Sequence, residues 1–302
     1  MNQRQLSYFI TTMRCGSMKD AAHELGISPQ GLSKTIIALE EEVGHPLFER
    51  TRHGLEPTAY AERLRPHAVA VLRAYDSLDR NFSRAASGKE MLDVVATYGF
   101  ICTLPPSFFR QFSEMNPNVQ LNLVEMTDYP AVERLRRGDS EIGVLPSPLD
   151  TAIFHGEPLF TARHCCIINQ SNPLSQKEEI EYSDLAGQPL ALKGRTYIMY
   201  NGNINRFLSH GTEPTIYMET SSDELIADLA EDNQAIGISL DYMAERTARP
   251  HTVARRFADP ECCRTLYFAY PLGMRLSPPA EAFRRQLLEL FKDGLPDSSS
   301  TK

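Results

Sequence analysis

Met18 to Val43 reads MKDAAHELGISPQGLSKTIIALEEEV, and the spacing predicts two short helices broken at Gly26. Ala21 and Ala22 are small enough to let another helix approach, and a glycine after Leu25 suits a left-handed helix end. Ser28 fits an N-cap and Pro29 the first helical position, where a missing N–H costs nothing. From there Leu32, Ile36, Leu39 and Val43 recur at four-three-four spacing, one apolar stripe on a helix. The opposite face near the helix start carries Gln30, Ser33, Lys34 and Thr35. A helix buried along one side, with such hydrogen-bonding groups at its N-terminal end, suits a DNA major groove, where base edges are read.

The flanks strengthen this reading. Leu6, Phe9, Ile10 and Met13 form another apolar stripe, so a helix over residues 3–15 closes a three-helix core. Residues 44–58, GHPLFERTRHGLEPT, predict a short hairpin in which Phe48 plugs the core. Arg50, Arg52 and His53 gather around Gly54 as a cationic tip that reaches phosphate or minor groove. In this order residues 3–58 resemble the winged helix-turn-helix of LysR-type transcriptional regulators. That family usually reads Ser-Gln-Pro or Ser-Gln-Ser where this chain has Ser28-Pro29-Gln30, so Gln30 is the candidate here for the base contact usually given to that glutamine. The expected DNA-binding set is Ser28, Pro29, Gln30, Ser33, Lys34, Thr35, Arg50, Arg52 and His53.

At 302 residues the chain suits two or three compact units. Its net charge of −8 divides unevenly: residues 1–65 hold eight Lys or Arg against eight Asp or Glu, leaving 23 against 31 in the remainder. The acidic part is expected to stay off phosphate, so strong nonspecific DNA binding is not expected. The N-terminus is polar and no apolar run approaches the roughly 18–20 residues a membrane span needs, which predicts a cytoplasmic protein without a membrane partner. The six cysteines show no CxxC and no metal-ligand spacing, so neither metal nor cofactor is expected. Cys165-Cys166 and Cys262-Cys263 lie in apolar, strand-like runs and read as reduced buried thiols. A weaker hypothesis couples their oxidation to lobe geometry, with Arg163, His164 and Arg264 as the only thiolate-stabilising neighbours. There is no GxSxG, GxxxxGK[ST] or HExxH, and the eight histidines are scattered, so an enzyme is not expected.

Residues 58–86 predict one long helix in which Leu64, Ala68, Val71, Tyr75, Leu78, Phe82 and Ala85 alternate four and three. So narrow a stripe predicts a seam with the same helix of a second subunit, which would also supply the second DNA half-site reader. The competing reading packs this helix on its own domain. Pro66 is expected to kink or reset it near its beginning. Ser87, Gly88 and Lys89 read as a hinge, giving a DNA-binding domain over 1–58, a dimerisation helix and hinge over 59–89, and a third part over 90–302.

In that third part MLDVVATYG, VQLNLVEM and EIGVLPS read as strands, alternating with helices in LPPSFFRQFSEM and AVERLRRG. After PLFTARHCCIINQ the alternation restarts through YSDLAGQPLAL, a helix near Asn205 to Ser209, PTIYMETSS, DELIADLAEDN and AIGISL. CRTLYFAY and PPAEAFRRQLLELFKD return to the first unit. The expected fold is multidomain α/β: a winged helix-turn-helix, a long linker helix and a two-lobed domain. Lobe 1 spans about 90–162 and 266–293, and lobe 2 about 163–265. These lobes resemble the effector-binding domain of the same regulators, whose fold is that of periplasmic solute-binding proteins.

Ligands in such folds sit between lobes, at strand carboxyl ends and helix N-termini. The matching positions are Thr97, Tyr98, Gly99, Phe100, Thr127, Asp128, Pro146 and Ser147 in lobe 1. Lobe 2 offers Lys193 to Thr196, Thr220 to Ser222 and Ser239, with Thr196, Thr220 and Ser221 the closest fits. Free N–H groups there favour an anionic or polar effector. The resemblance implies a small-molecule-responsive, promoter-binding regulator, assembled as a dimer of dimers, with RNA polymerase as a further candidate partner. A solute-binding protein without gene-regulatory role is the competing class, and it leaves residues 1–86 unexplained.

Overall fold

The computed structural model describes residues 1–51, 54–84 and 89–296, with backbone alone at 50, 73, 74 and 76–84. The chain divides into two compact units, Met1–Glu90 with Gly273–Arg275, and Met91–Leu272 with Leu276 onward.

The first unit opens with α1 (Gln3–Cys15), α2 (Met18–Glu24) and α3 (Pro29–Val43). Each start is capped by a side chain: Asn2 in a reciprocal box with Gln5, then Ser17 and Ser28. Gly26 takes φ +64° after α2, and the Ile27 N–H donates back to the Ala22 carbonyl, which turns the chain sharply into α3. Leu6, Phe9, Ala21, Ala22, Leu32, Ile36 and Leu39 meet in one core. Strands β1 (Phe48–Thr51) and β2 (Gly54–Pro57) pair antiparallel as the wing. Glu40 Oε1 accepts the Leu47 and Phe48 N–H groups at 2.7 and 3.2 Å, so α3 fixes where the wing begins.

Helix α4 (Ala59–Arg84) then runs unbroken through Pro66, so the helix is not reset there. Pro66 lies on the exposed side, where solvent can reach the carbonyl its missing N–H leaves unpaired. The seam needs a second correction. Ala61 and Ala68 are sealed in the core of this unit, and Leu64 and Leu72 pack against it, so Leu64 and Ala68 face their own domain. The stripe opens to solvent only beyond them, at Val71 (39% exposed) and Tyr75 (43%). The side chains of Leu78 and Phe82 are outside the described residues, as are Ala85, Ser87 and Gly88 of the stripe's end and hinge.

The second unit is α/β. Lobe 1 contributes β3 (Glu90–Thr97), α5 (Pro106–Met115), β4 (Val119–Met126), α6 (Asp128–Arg137) and β5 (Ile142–Pro146). The 16-residue β6 (Phe154–Asn169) crosses to lobe 2, which holds β7 (Glu179–Ile180), β8 (Pro189–Lys193), α7 (Ile198–Ser209) and β9 (Thr215–Thr220). Next come α8 (Asp223–Glu231), β10 (Ile236–Leu240), α9 (Asp241–Arg246) and β11 (Thr252–Phe257). Strand β12 (Cys263–Pro271) crosses back and α10 (Pro278–Leu290) closes lobe 1. The strand order is β4-β3-β5-β12-β6-β10-β8-β9, with β11 also paired to β6 and β7 to β11. β6 pairs with β12 through residue 163 and with β10 from residue 164, so the crossing falls at His164. Phe108, Phe112, Phe268 and Phe283 centre one lobe's core, and Tyr182, Phe207 and Phe257 the other's.

Candidate DNA-reading face and effector cleft

On α3 the Ser28 Oγ accepts the Gly31 N–H at 3.1 Å, which leaves Pro29 at the first position and Gln30 exposed at the next. Lys34, one turn on, is also exposed, whereas Ser33 and Thr35 are half-buried. Thr35 donates its hydroxyl to the Gly31 carbonyl at 3.0 Å, so only its lone pairs and methyl remain for a base. Ile37 follows Lys34 on this face and is 50% exposed, an apolar residue that the four-three-four stripe passes over. Arg50 lies in β1 opposite Leu55, and Arg52 and His53 lie outside the described residues.

In the second unit, Thr97, Asp128 and Arg264 come together from the end of β3, the first turn of α6 and β12. All three are buried. Arg264 Nη2 donates to Asp128 Oδ1 at 2.6 Å and to Thr97 Oγ1 at 3.0 Å, and the Thr97 hydroxyl donates to the same Asp128 oxygen. Asp128 Oδ2 accepts the Ile198 N–H at 2.9 Å, at the start of α7 in the other lobe. A second cluster lies close by. Lys193 Nζ donates to Asp223 Oδ2 and the Ser221 carbonyl, both at 2.7 Å, and Ser239 Oγ to Asp223 Oδ1 at 3.1 Å. Burial pulls the Lys193 pKa down despite that carboxylate. Tyr98, Lys193, Tyr197, Ser239, Met243 and Arg264 line a cavity of about 10 Å³ beside these clusters. That is room for one water at most. Among the described residues, Arg264 Nε and Tyr197 Oη are buried without a hydrogen-bond partner.

Several expected effector residues do other work. Phe100 is fully buried in the lobe 1 core, a correction that follows from its packing against Phe291. Pro146 is buried in β5, and Ser147 Oγ accepts the Thr265 N–H at 3.1 Å. Thr220 Oγ1 accepts the Ser222 N–H at 3.2 Å, and Thr196 gives its carbonyl to the Tyr129 N–H at 3.2 Å, which is turn and bridging chemistry. Gly99, at φ +89°, passes its carbonyl to the Tyr242 hydroxyl at 3.2 Å, and an added Cβ would meet that hydroxyl at 3.1 Å. Tyr98 lines the cavity and is 44% exposed. Sequence reasoning missed the place of Arg264 here. The signal was present: in CRTLYFAY, Arg264, Leu266 and Phe268 share the inward face of one strand.

His164, where β6 crosses, is buried with Nδ1 3.1 Å from Asn203 Oδ1. Burial, and then the charge of Arg264, push its pKa down from 6.5 to about 4, so it is neutral at pH 7. A group protonated more readily when unfolded gives full stability above its ordinary pKa and loses it as pH falls. His164 therefore costs about 2 kcal/mol by pH 5. Stability titrated from pH 7 to 5 should fall more steeply in the wild type than in His164→Asn; parallel curves would show that His164 is not the group responsible.

The same burial pushes the Cys165 thiol up to about 12 and the Cys166 thiol well above its ordinary value. His164 is neutral and burial disfavours both thiolates, so the oxidation hypothesis gains no support at these two positions. Among the described residues no group of His, Cys, Asp and Glu could hold a metal ion, and no helix is long and apolar enough to cross a membrane.

A capped recognition helix with a wing, followed by a two-lobed α/β domain built around an inter-lobe cluster, defines the class of ligand-responsive DNA-binding regulators. Residues 3–62 match the bacterial regulatory helix-turn-helix of the lysR family, and residues 85–292 the LysR substrate binding domain. The chain belongs to the LysR family of transcriptional regulators. It is 26% identical to the transcriptional activator protein LysR of Escherichia coli, over 98% of this chain and 92% of that one. It is likewise 26% identical to YybE, an uncharacterized HTH-type regulator of Bacillus subtilis, over 97% and 100%. Among solved structures, full-length CbnR complexed with its target DNA superposes with a TM-score of 0.52 at 22% identity, covering 96% of this chain and 99% of that one. The protein is thus a transcriptional regulator with a DNA-binding and an effector-binding domain.

Proposed function

We propose that this cytoplasmic regulator reads its operator through Gln30, Lys34 and Ile37, with Ser33 and Thr35 at the margin of the contact. Arg50, Arg52 and His53 hold the backbone or minor groove from the wing. The observation that carries this reading is the exposed face of α3, capped at Ser28 and backed by a sealed core. Lys34 suits a guanine edge and Gln30 an adenine edge, while the branched tip of Ile37 suits a thymine methyl. The effector enters the inter-lobe cleft of the second unit, where Tyr98 supplies an accessible wall. Subunits associate through the exposed part of α4 into a dimer and then a dimer of dimers, with RNA polymerase as the further partner.

A gel-shift with fragments of the chain's own promoter region tests the first step. Lys34→Ala and Gln30→Ala should each cost roughly 1–3 kcal/mol and relax one position of the site. Ile37→Ala should lose discrimination only at a thymine. If all three variants bind the operator as wild type does, α3 is not the reading element.

A further inference from the structure

The negative charge buried in the cleft is the chain's own. Both oxygens of Asp128 are engaged, Oδ1 by Arg264 and Thr97 and Oδ2 by the Ile198 N–H. Ile198 is the first residue of the 12-residue α7, whose free N–H groups and dipole favour an anion. The three donors stand on β3, β12 and α7, and Asp128 on a fourth element, α6. Each donor element is fixed without the carboxylate: β3 pairs with β5, β12 with β5 and β6, and α7 packs through Phe207. Arg264 also keeps capacity in reserve. Its Nε and the Tyr197 hydroxyl are both buried and unpartnered among the described residues, and both residues line the small cavity. A guanidinium with Nε free and Nη2 on one carboxylate oxygen is poised for two-point recognition of an acid.

We propose that Arg264, Thr97 and the Ile198 N–H form a carboxylate seat, that Asp128 fills it as a tethered ligand, and that the effector is a carboxylic acid that takes the seat from it. This rests on the reading of the inter-lobe cleft as the effector site. The effector's affinity is set by competition with a partner that never leaves the molecule. The exchange also replaces an α6–α7 bridge between the lobes, so the acid binds the two lobe arrangements with different affinity, which is what a switch requires.

The test uses the full chain with Asp128→Ala, which keeps the Cβ and removes a group the size of formate. Sodium formate is titrated against sodium chloride at equal ionic strength, with 13C-formate line broadening and thermal unfolding as readouts. Asp128→Ala should bind formate roughly tenfold or more tighter than wild type, as expected for two or three charge-assisted hydrogen bonds regained, and its unfolding temperature should rise with formate. Asp128→Ala/Arg264→Met should show neither effect. Should Asp128→Ala not fold in chloride, its refolding yield should climb with formate while the double variant's does not. Equal formate affinity in wild type and Asp128→Ala, or no response to formate in either readout, overturns the proposal. These measurements involve no DNA, so such a result leaves the cleft reading standing. That reading fails separately, if formate-competent acids seat in the cleft yet none alters operator binding by wild type.

Discussion

Arg264→Met should destabilise the second unit by about 3–5 kcal/mol, although methionine has similar length and packs well. The cause is what stays behind. Asp128 is fully buried, and without the guanidinium its carboxylate keeps, among the described residues, the hydrogen bonds of the Thr97 hydroxyl and the Ile198 N–H. Removing one member of a buried pair leaves an uncompensated charge, which costs far more than the pair itself contributes. The double variant Arg264→Met/Asp128→Leu removes both charges and should recover most of the loss, leaving mainly the missing cap at α7. The chain has no tryptophan, so calorimetry or hydrogen exchange along β3 and β12 is the suitable measure. With two units, the transition to follow is that of the second, not one global midpoint. A single variant within 1 kcal/mol or so of wild type would mean that Arg264 and Asp128 do not depend on each other.

Why Arg264 escaped the sequence reading, while the recognition helix did not, is a matter of range. Ser28, Pro29 and the Leu32–Ile36–Leu39 stripe act within a few turns of one another, so local chemistry specifies α3 from cap to core. The cleft depends on contacts between residues far apart in sequence. Arg264 meets Thr97 and Asp128 only because β12 returns from lobe 2 to lobe 1. The start of α7 at Ile198 was hidden for another reason: Asn201, Gly202 and Asn203 are poor helix formers, so the expected helix began near Asn205. Its N-terminus, which faces Asp128, was therefore absent from the set of anion-binding candidates. Strands β7 and β11 and helix α9 were also missed, being short or polar, and fixed by pairing and packing on lobe 2 rather than by propensity. The heptad in α4 shows the reverse error. Its spacing is regular, but spacing alone does not say which partner covers it. Ala68 turned out to belong to the fold of its own unit.

That division of α4 sharpens the expectation for assembly. Leu64 and Ala68 are spent on the winged-helix core, so an intersubunit seam can begin only at Val71 and Tyr75, one turn apart and both about two-fifths exposed. Tyr75→Glu places a carboxylate on this strip without touching the core behind α1 or the exposed face of α3. In a paired helix that charge is desolvated, which is unfavourable, so the subunits should separate. Sedimentation should show smaller species than wild type. Operator affinity should fall by roughly 10²–10⁴-fold, because linked readers of two half-sites gain by effective concentration rather than by new contacts. A fragment carrying a single half-site should bind Tyr75→Glu and wild type about equally, which separates lost assembly from a damaged recognition helix. Leu64→Ala, by contrast, should lower the stability of the first unit by about 2–3 kcal/mol with the assembly unchanged, since it removes packing inside one subunit. If Tyr75→Glu sediments as wild type does, the exposed half of α4 is not where the subunits meet.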